Sequence, residues 1–93
     1  MFVLQLALKI KAGESPAVEK AFLGPFKAAI SAQEGFKSVA LLRPQDDGDY
    51  VLSIAFESQQ LQQKWVATDL HQQVWPMIET HLAGYTLRSF AAV

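Results

Sequence analysis

The stretch Phe56–Leu82, F-E-S-Q-Q-L-Q-Q-K-W-V-A-T-D-L-H-Q-Q-V-W-P-M-I-E-T-H-L, holds both tryptophans and both histidines of the chain. Wound as a helix from Leu70 at about 100° per residue, it sets Leu70, Val74, Trp75, Met77, Ile78 and Leu82 on one broad arc. Gln72, Gln73, Pro76, Glu79 and Thr80 fall opposite. His71 and His81 both land inside the apolar arc, where a titratable ring is least expected. Ser58 is placed to cap a helix that carries Leu61 and Trp65 one turn apart, and Thr68-Asp69 reads as a second cap. The stretch is therefore two helical segments joined at an elbow. Any chemistry it does sits on the face that holds the rings.

Strands lie on both sides of it. Tyr50, Leu52, Ile54 and Phe56 alternate with Val51, Ser53 and Ala55, the period of a strand with one buried face. Asp46-Asp47-Gly48-Asp49 before it is hairpin-turn chemistry, and Phe36–Arg43, ended by Pro44, reads as its partner. After the helices Gly84 is the expected stop, and Tyr85–Val93 a final strand. At the other end Phe2, Leu4, Leu6, Leu8 and Ile10 alternate with Val3, Gln5, Ala7, Lys9 and Lys11. Each large side chain buried on the stronger of those faces contributes about 1.5–3 kcal/mol, which turns that face to the core.

Between the first two strands, Ser15-Pro16 opens a helix with a capping hydroxyl and a proline in its first turn. Val18, Phe22, Phe26 and Ile30 recur every fourth residue, Gly24-Pro25 interrupts them, and Gly35 stops the helix. The order strand, helix, strand, strand, helix, strand describes an α+β protein, a ferredoxin-like βαββαβ sandwich with both helical regions on one sheet face. The opposite face carries Val3, Ala7, Val51 and Ala55, too apolar to be left in water. A second copy of the chain packed there, as a homodimer through the sheet face, is the expected cover.

Size and composition narrow the classes. The 93 residues are expected to form one domain, 1–93, with a marginal core for a single chain. Eight basic and nine acidic residues give a net charge of −1, with no basic patch for nucleic acid. Cysteine is absent, so disulfides, thiolate catalysis and cysteine metal sites are excluded. No run approaches the roughly 20 apolar residues that span a bilayer, and Met1–Ile10 reads as a strand rather than a signal peptide. No membrane association and a cytoplasmic location are expected. There is no H-x-x-x-H pair, glycine-rich phosphate loop or nucleophile elbow, and Asp46, Asp47 and Asp49 lack calcium-loop spacing.

With these elements in place the chain resembles a known family. The strand Y-V-L-S-I-A-F-E-S followed by L-Q-Q-K-W-V-A-T-D-L-H, with E-G-F-K-S-V-A-L-L-R before it, is similar to the antibiotic biosynthesis monooxygenases. The resemblance implies a dimeric α/β barrel of ferredoxin-like protomers, each with a pocket between sheet and helices. Members include cofactor-independent oxygenases of polycyclic phenols, quinol monooxygenases and heme-degrading enzymes. The oxygenase branches imply no cofactor and a small aromatic ligand. Trp65 matches the helical tryptophan of the heme-degrading branch. That branch also has a first-strand asparagine and a histidine ten residues past the tryptophan, where this chain has Leu6 and Ala7, and Trp75. His71 matches a histidine of the quinol-oxidising branch, whose companion would fall at Trp65.

His71 is accordingly the catalytic candidate. With an ordinary pKa near 6.5 it can take a phenol or hydroquinone proton at neutral pH, leaving an anion electron-rich enough to meet oxygen directly. The alternative is a hydrogen-bonded histidine at the edge of the core. His81, near the helix end, is read as a cap interacting with the dipole. Trp65, Trp75, Phe22, Phe26, Leu6 and Tyr50 are the candidate substrate-binding residues, each with plain packing as the alternative. Gln59, Gln60, Gln62 and Gln63 read as a solvent face. The leading expectation is a cofactor-independent monooxygenase acting on a quinol, phenol or polycyclic aromatic. A non-catalytic ligand-binding or dimerisation module of the same fold is the second, and heme binding the third.

Overall fold

Strand β1 (Phe2–Ile10) alternates as its sequence demands, with Leu6 and Leu8 buried and Lys9 exposed. It lies in the middle of a four-stranded antiparallel sheet, paired on one side with β3 (Tyr50–Phe56) and on the other with β4 (Leu82–Ala91). β2 (Phe36–Leu42) pairs only with β3, so the order is β2-β3-β1-β4. The computed structural model describes residues 1–93. The register stacks Val39, Ile54 and Leu4 in one row and Leu41, Leu52, Leu6 and Leu87 in the next. These rows face the helices. The strand order and the helices on one face are those of a ferredoxin-like α+β fold, as the alternation predicts.

The first helix runs continuously from Ser15 to Ser31, in three parts. α1 (Ser15–Ala21) and α2 (Lys27–Ser31) are joined by a π-helical turn, Phe22–Phe26. Pro25 has no N–H for a regular helical bond, and the wider turn absorbs that loss instead of ending the helix. It also keeps the four-residue stripe in line. An α-helix turns every 3.6 residues, so a strict spacing of four would drift around it, yet Val18, Phe22, Phe26 and Ile30 are all buried. Pro16 occupies the first turn, but the expected Ser15 cap is not made. Glu14 is the N-cap residue and no side chain bonds the first turn.

The roof is completed by α3 (Gln59–Val66) and α4 (Asp69–Glu79). Both predicted caps form: Ser58 Oγ accepts from the Leu61 amide at 3.2 Å and Thr68 Oγ1 from the His71 amide at 3.1 Å. α4 ends earlier than the pattern suggests. Thr80 caps it, and Leu82, counted on the helical arc, pairs with Ile10 as the first residue of β4. A bulge at that end of the pairing sets Gly84 opposite Lys9, inside the strand instead of at a helix stop. The buried line of α4 is narrow: Val74 and Ile78 are in the core, whereas Leu70 and Met77 are exposed.

His81 follows α4 and is not a dipole cap. Its Nδ1 lies 2.8 Å from Glu14 Oε1, which ties the end of α4 to the start of α1. The sheet face away from the helices carries Val3, Ala7, Val51 and Ala55 as expected, together with the exposed Leu42 and Phe90. No helix is long and apolar enough to cross a membrane.

Candidate functional site

A cavity of about 370 Å³ lies between the β1–β3 rows and the α3–α4 elbow. Leu4 and Leu6 form part of its floor, Trp65 and Val66 of α3 and His71 and Trp75 of α4 its roof, and Phe26 of the π turn its inner end. It meets solvent along β4, where Tyr85 and Leu87 are exposed although they point to the helical side of the sheet. Leu87 is 57% exposed, unlike Leu6 and Leu52 in the same row, because the roof stops short of this edge strand.

The ring geometry is set by the elbow. Trp65 meets His71 edge-on at 5.0 Å between centroids, and His71 stacks with Trp75 at 6.4 Å and 20° between planes. Phe26 packs edge-on against Trp65 at 6.2 Å, and Tyr85 against Trp75 at 5.4 Å. One hydroxyl joins the two helices: Thr68 Oγ1 donates to the Trp65 carbonyl at 2.7 Å while accepting from the His71 amide. Thr68 at the turn thus bonds the backbone of both Trp65 and His71.

His71 is half-buried, and burial pushes its pKa below the ordinary 6.5 by penalising the charged ring. Burial thus favours the neutral ring over the imidazolium. Its one side-chain neighbour at hydrogen-bond range is Gln72, whose Nε2 stands 3.4 Å from Nδ1 and donates to the Val66 carbonyl at 3.0 Å. At 3.4 Å the contact is too weak to dictate which ring nitrogen carries the proton.

Of the residues singled out in the sequence, the fold brings His71, Trp65, Trp75, Phe26 and Leu6 to this cavity. Phe22 and Tyr50 are elsewhere. They line a second cavity of about 240 Å³ near the far end of the helix, with Glu19 and Arg43. There Arg43 grips the Glu19 carboxylate at 2.6 and 2.9 Å, and the Tyr50 hydroxyl donates to the same group at 2.5 Å. The Arg43 bond, then the Tyr50 bond, hold the Glu19 pKa down at about 2. Tyr50 thus donates its hydroxyl proton within the protein, away from the main cavity.

The solvent-face reading of the glutamines holds for Gln59, Gln60 and Gln63, which are exposed, and needs correcting at Gln62. Gln62 is buried, and Gln59, Gln62 and Gln63 all line the main cavity. The signal was present in the spacing, since Gln62 lies three residues before Trp65 and shares its side of the helix. No group of three or more His, Cys, Asp or Glu side chains is arranged to hold a metal ion.

Residues 1–75 match the family model described as antibiotic biosynthesis monooxygenase. The chain belongs to that family. Solved structures give the same fold across nearly the whole chain. A Nitrosomonas europaea protein grouped with these monooxygenases superposes with a TM-score of 0.85 at 16% identity, covering 100% of this chain and 99% of its own. SnoaB, a cofactor-independent oxygenase from Streptomyces nogalater, gives 0.78 at 22% identity, covering 99% and 90%. The heme-degrader MhuD of Mycobacterium tuberculosis, solved with two hemes in its active site, gives 0.76 at 25% identity, covering 100% and 96%. No curated protein matches the chain in sequence.

Proposed function

We propose that the protein is a cofactor-independent oxygenase of a phenolic or quinol-type aromatic, bound in the cavity beneath the α3–α4 elbow. The observation that supports it is His71: the only side chain on the lining that exchanges a proton near neutral pH, flanked by Trp65 and Trp75. A phenol bound against these rings gives its proton to His71, and the resulting phenolate is the electron donor to dioxygen. For a phenol with an open para carbon, one oxygen atom becomes the new quinone carbonyl and the other leaves as water. All four electrons come from the substrate, so phenol plus O₂ balances quinone plus water. Removing such a base typically lowers turnover by 10²–10⁴.

The test is oxygen uptake with a panel of naphthols and hydroquinones. His71→Ala is expected to lose at least about 100-fold in kcat, and His81→Ala, whose ring is bound to Glu14 away from the cavity, to retain activity. Equal rates in the wild type and His71→Ala would remove the assignment. The sparse polar lining favours one second reading, a binding module without turnover, and ligand binding with no oxygen uptake would establish it. Heme is disfavoured, because no lysine or arginine lines the cavity to meet the carboxylates of a porphyrin. Titration with hemin should leave the Soret band unshifted.

The working unit of this proposal is a homodimer. The sheet face away from the helices carries two apolar rows, Phe90, Val3 and Ala55 in one and Ala7, Val51 and Leu42 in the other, on either side of Arg88, Gln5, Ser53 and Ala40, and self-association would cover them. Light scattering should return twice the chain mass at micromolar concentration. Val51→Lys, a charge between Ala7 and Leu42 in one of those rows, should halve it.

A further inference from the structure

Gln62 is the buried polar side chain on the cavity lining that the chemistry above does not use; Gln59 and Gln63 beside it are exposed. It is only 7% exposed, yet its carboxamide bonds to no other side chain or carbonyl of the protein. No buried side-chain nitrogen or oxygen is sealed off without a partner, so this amide opens into the cavity it lines. A buried amide is unfavourable unless its donor and acceptor are engaged, and here only the cavity's occupant or water can engage them.

The remaining lining says what kind of occupant. It holds neither lysine nor arginine, so a carboxylate would enter with no countercharge. Trp65, Trp75 and Phe26 supply apolar ring surface. A carboxamide matches a neutral oxygen: its NH₂ donates to a carbonyl, and its own carbonyl accepts from a hydroxyl. We propose that Gln62 is the specificity-determining residue of this site, taking the hydroxyl or carbonyl oxygen of a neutral flat aromatic. Both oxygen-free and carboxylate analogues are selected against. The proposal rests on the reading of the cavity as a ligand site, but not on turnover at His71.

Three probes of similar shape test it: 1-naphthol, 1-methylnaphthalene and 1-naphthoate, with dissociation constants measured by ligand-observed NMR. Wild type is expected to bind the naphthol about tenfold tighter than either of the others, the scale of one hydrogen bond that would otherwise go unmade. In Gln62→Leu the naphthol-to-methylnaphthalene ratio should fall to within about twofold, with methylnaphthalene bound as well as before or better. Gln62→Met, closer in shape, gives the same readout if the leucine variant does not fold. The Gln62 side-chain amide resonances of the wild type should shift with naphthol and not with methylnaphthalene, which needs no variant. A wild-type ratio retained in folded Gln62→Met, or amide resonances that ignore naphthol, would overturn the proposal. A ratio that collapses in His71→Ala instead would transfer the contact to His71 and overturn it equally. These results leave the oxygenase reading standing, whereas failure of all three probes to bind wild type would remove both.

Discussion

Gly35→Ala should destabilise the fold by more than any ordinary surface glycine substitution, for two separable reasons. Gly35 has φ +80°, a left-handed conformation that costs an L-residue about 1–2 kcal/mol. A β-carbon there would also stand 2.4 Å from Leu61 Cδ1, 3.0 Å from its Cβ and 3.2 Å from its Cγ. Rotating the Leu61 side chain clears the first of these contacts but not the second, so α3 itself must give way. Overpacking of that kind adds about 1–3 kcal/mol, for a total of about 2–5. A chain of this length has only about 5–14 kcal/mol in all, and each kilocalorie is worth about 4–8 °C. Thermal melts followed by circular dichroism should therefore show Gly35→Ala at least about 8 °C below wild type. In a Leu61→Ala background the contacts to Cδ1 and Cγ are gone and only the 3.0 Å approach to Cβ remains, so the glycine substitution should cost less than in the wild type, falling towards the backbone part of about 1–2 kcal/mol. A cost below about 0.5 kcal/mol would refute the conformational argument. Equal costs in the two backgrounds would refute the close approach of the β2 entry to α3, and with it this account of how the roof is positioned.

The other tests are shorter. Thr68→Val removes the hydroxyl shared by the Trp65 carbonyl and the His71 amide and should cost about 1 kcal/mol in urea melts, with Thr68→Ser near wild type. Because burial lowers the His71 pKa, the unfolded chain takes up this proton more readily than the folded one. Stability from this site is thus full above pH 6.5 and is lost as pH falls through the lower folded value; in His71→Phe that part of the slope should vanish from melts at about pH 5.5 and about pH 7.5. Glu19 is the opposite end of the scale: with a pKa of about 2 in place of 4.5, its contribution persists to strong acid. The gap between wild type and Glu19→Gln should be full above about pH 4.5 and close only as pH falls towards 2. Glu19→Ala should also lower the melting temperature more than Arg43→Ala, since only the former strips the buried Tyr50 hydroxyl of its acceptor.

What the sequence disclosed, and what it hid, divides along the range of the forces involved. Alternation in β1 and β3 and the four-residue stripe of the first helix are local consequences of burying one face, and they suffice for the ferredoxin-like order of elements. The caps at Ser58 and Thr68 are equally local, and through Thr68 they already place Trp65 beside His71. The end of α4 was not legible, because Leu82 satisfies the helical arc and a strand equally well. Its pairing with Ile10, 72 residues away, decides the matter. Phe22 and Phe26 share a stripe one turn apart, and no pattern within the helix says that one faces Arg43 and the other Trp65. That division depends on where the roof stops over the sheet.

Gln62 exposes a different limit. A glutamine among three others reads as solvated surface, because composition averages over faces, yet its place one turn before Trp65 puts it under the roof. The same reasoning that makes His71 conspicuous, a polar group on an otherwise apolar face, applies to Gln62 once the face of α3 is known. If the two proposed contacts act together, the ligand that suits them is a flat, uncharged molecule with oxygen at more than one position. A ligand carrying one oxygen would engage Gln62 or His71 and leave the other to water. Affinity should accordingly rise from 1-naphthol to 1,4-naphthalenediol by more than the doubling that statistics alone provides. Calorimetric titration under nitrogen, which prevents oxidation of the diol, measures it. An affinity gain no larger than twofold would mean that the two polar groups do not act on one ligand, and that His71 and Gln62 serve the cavity separately.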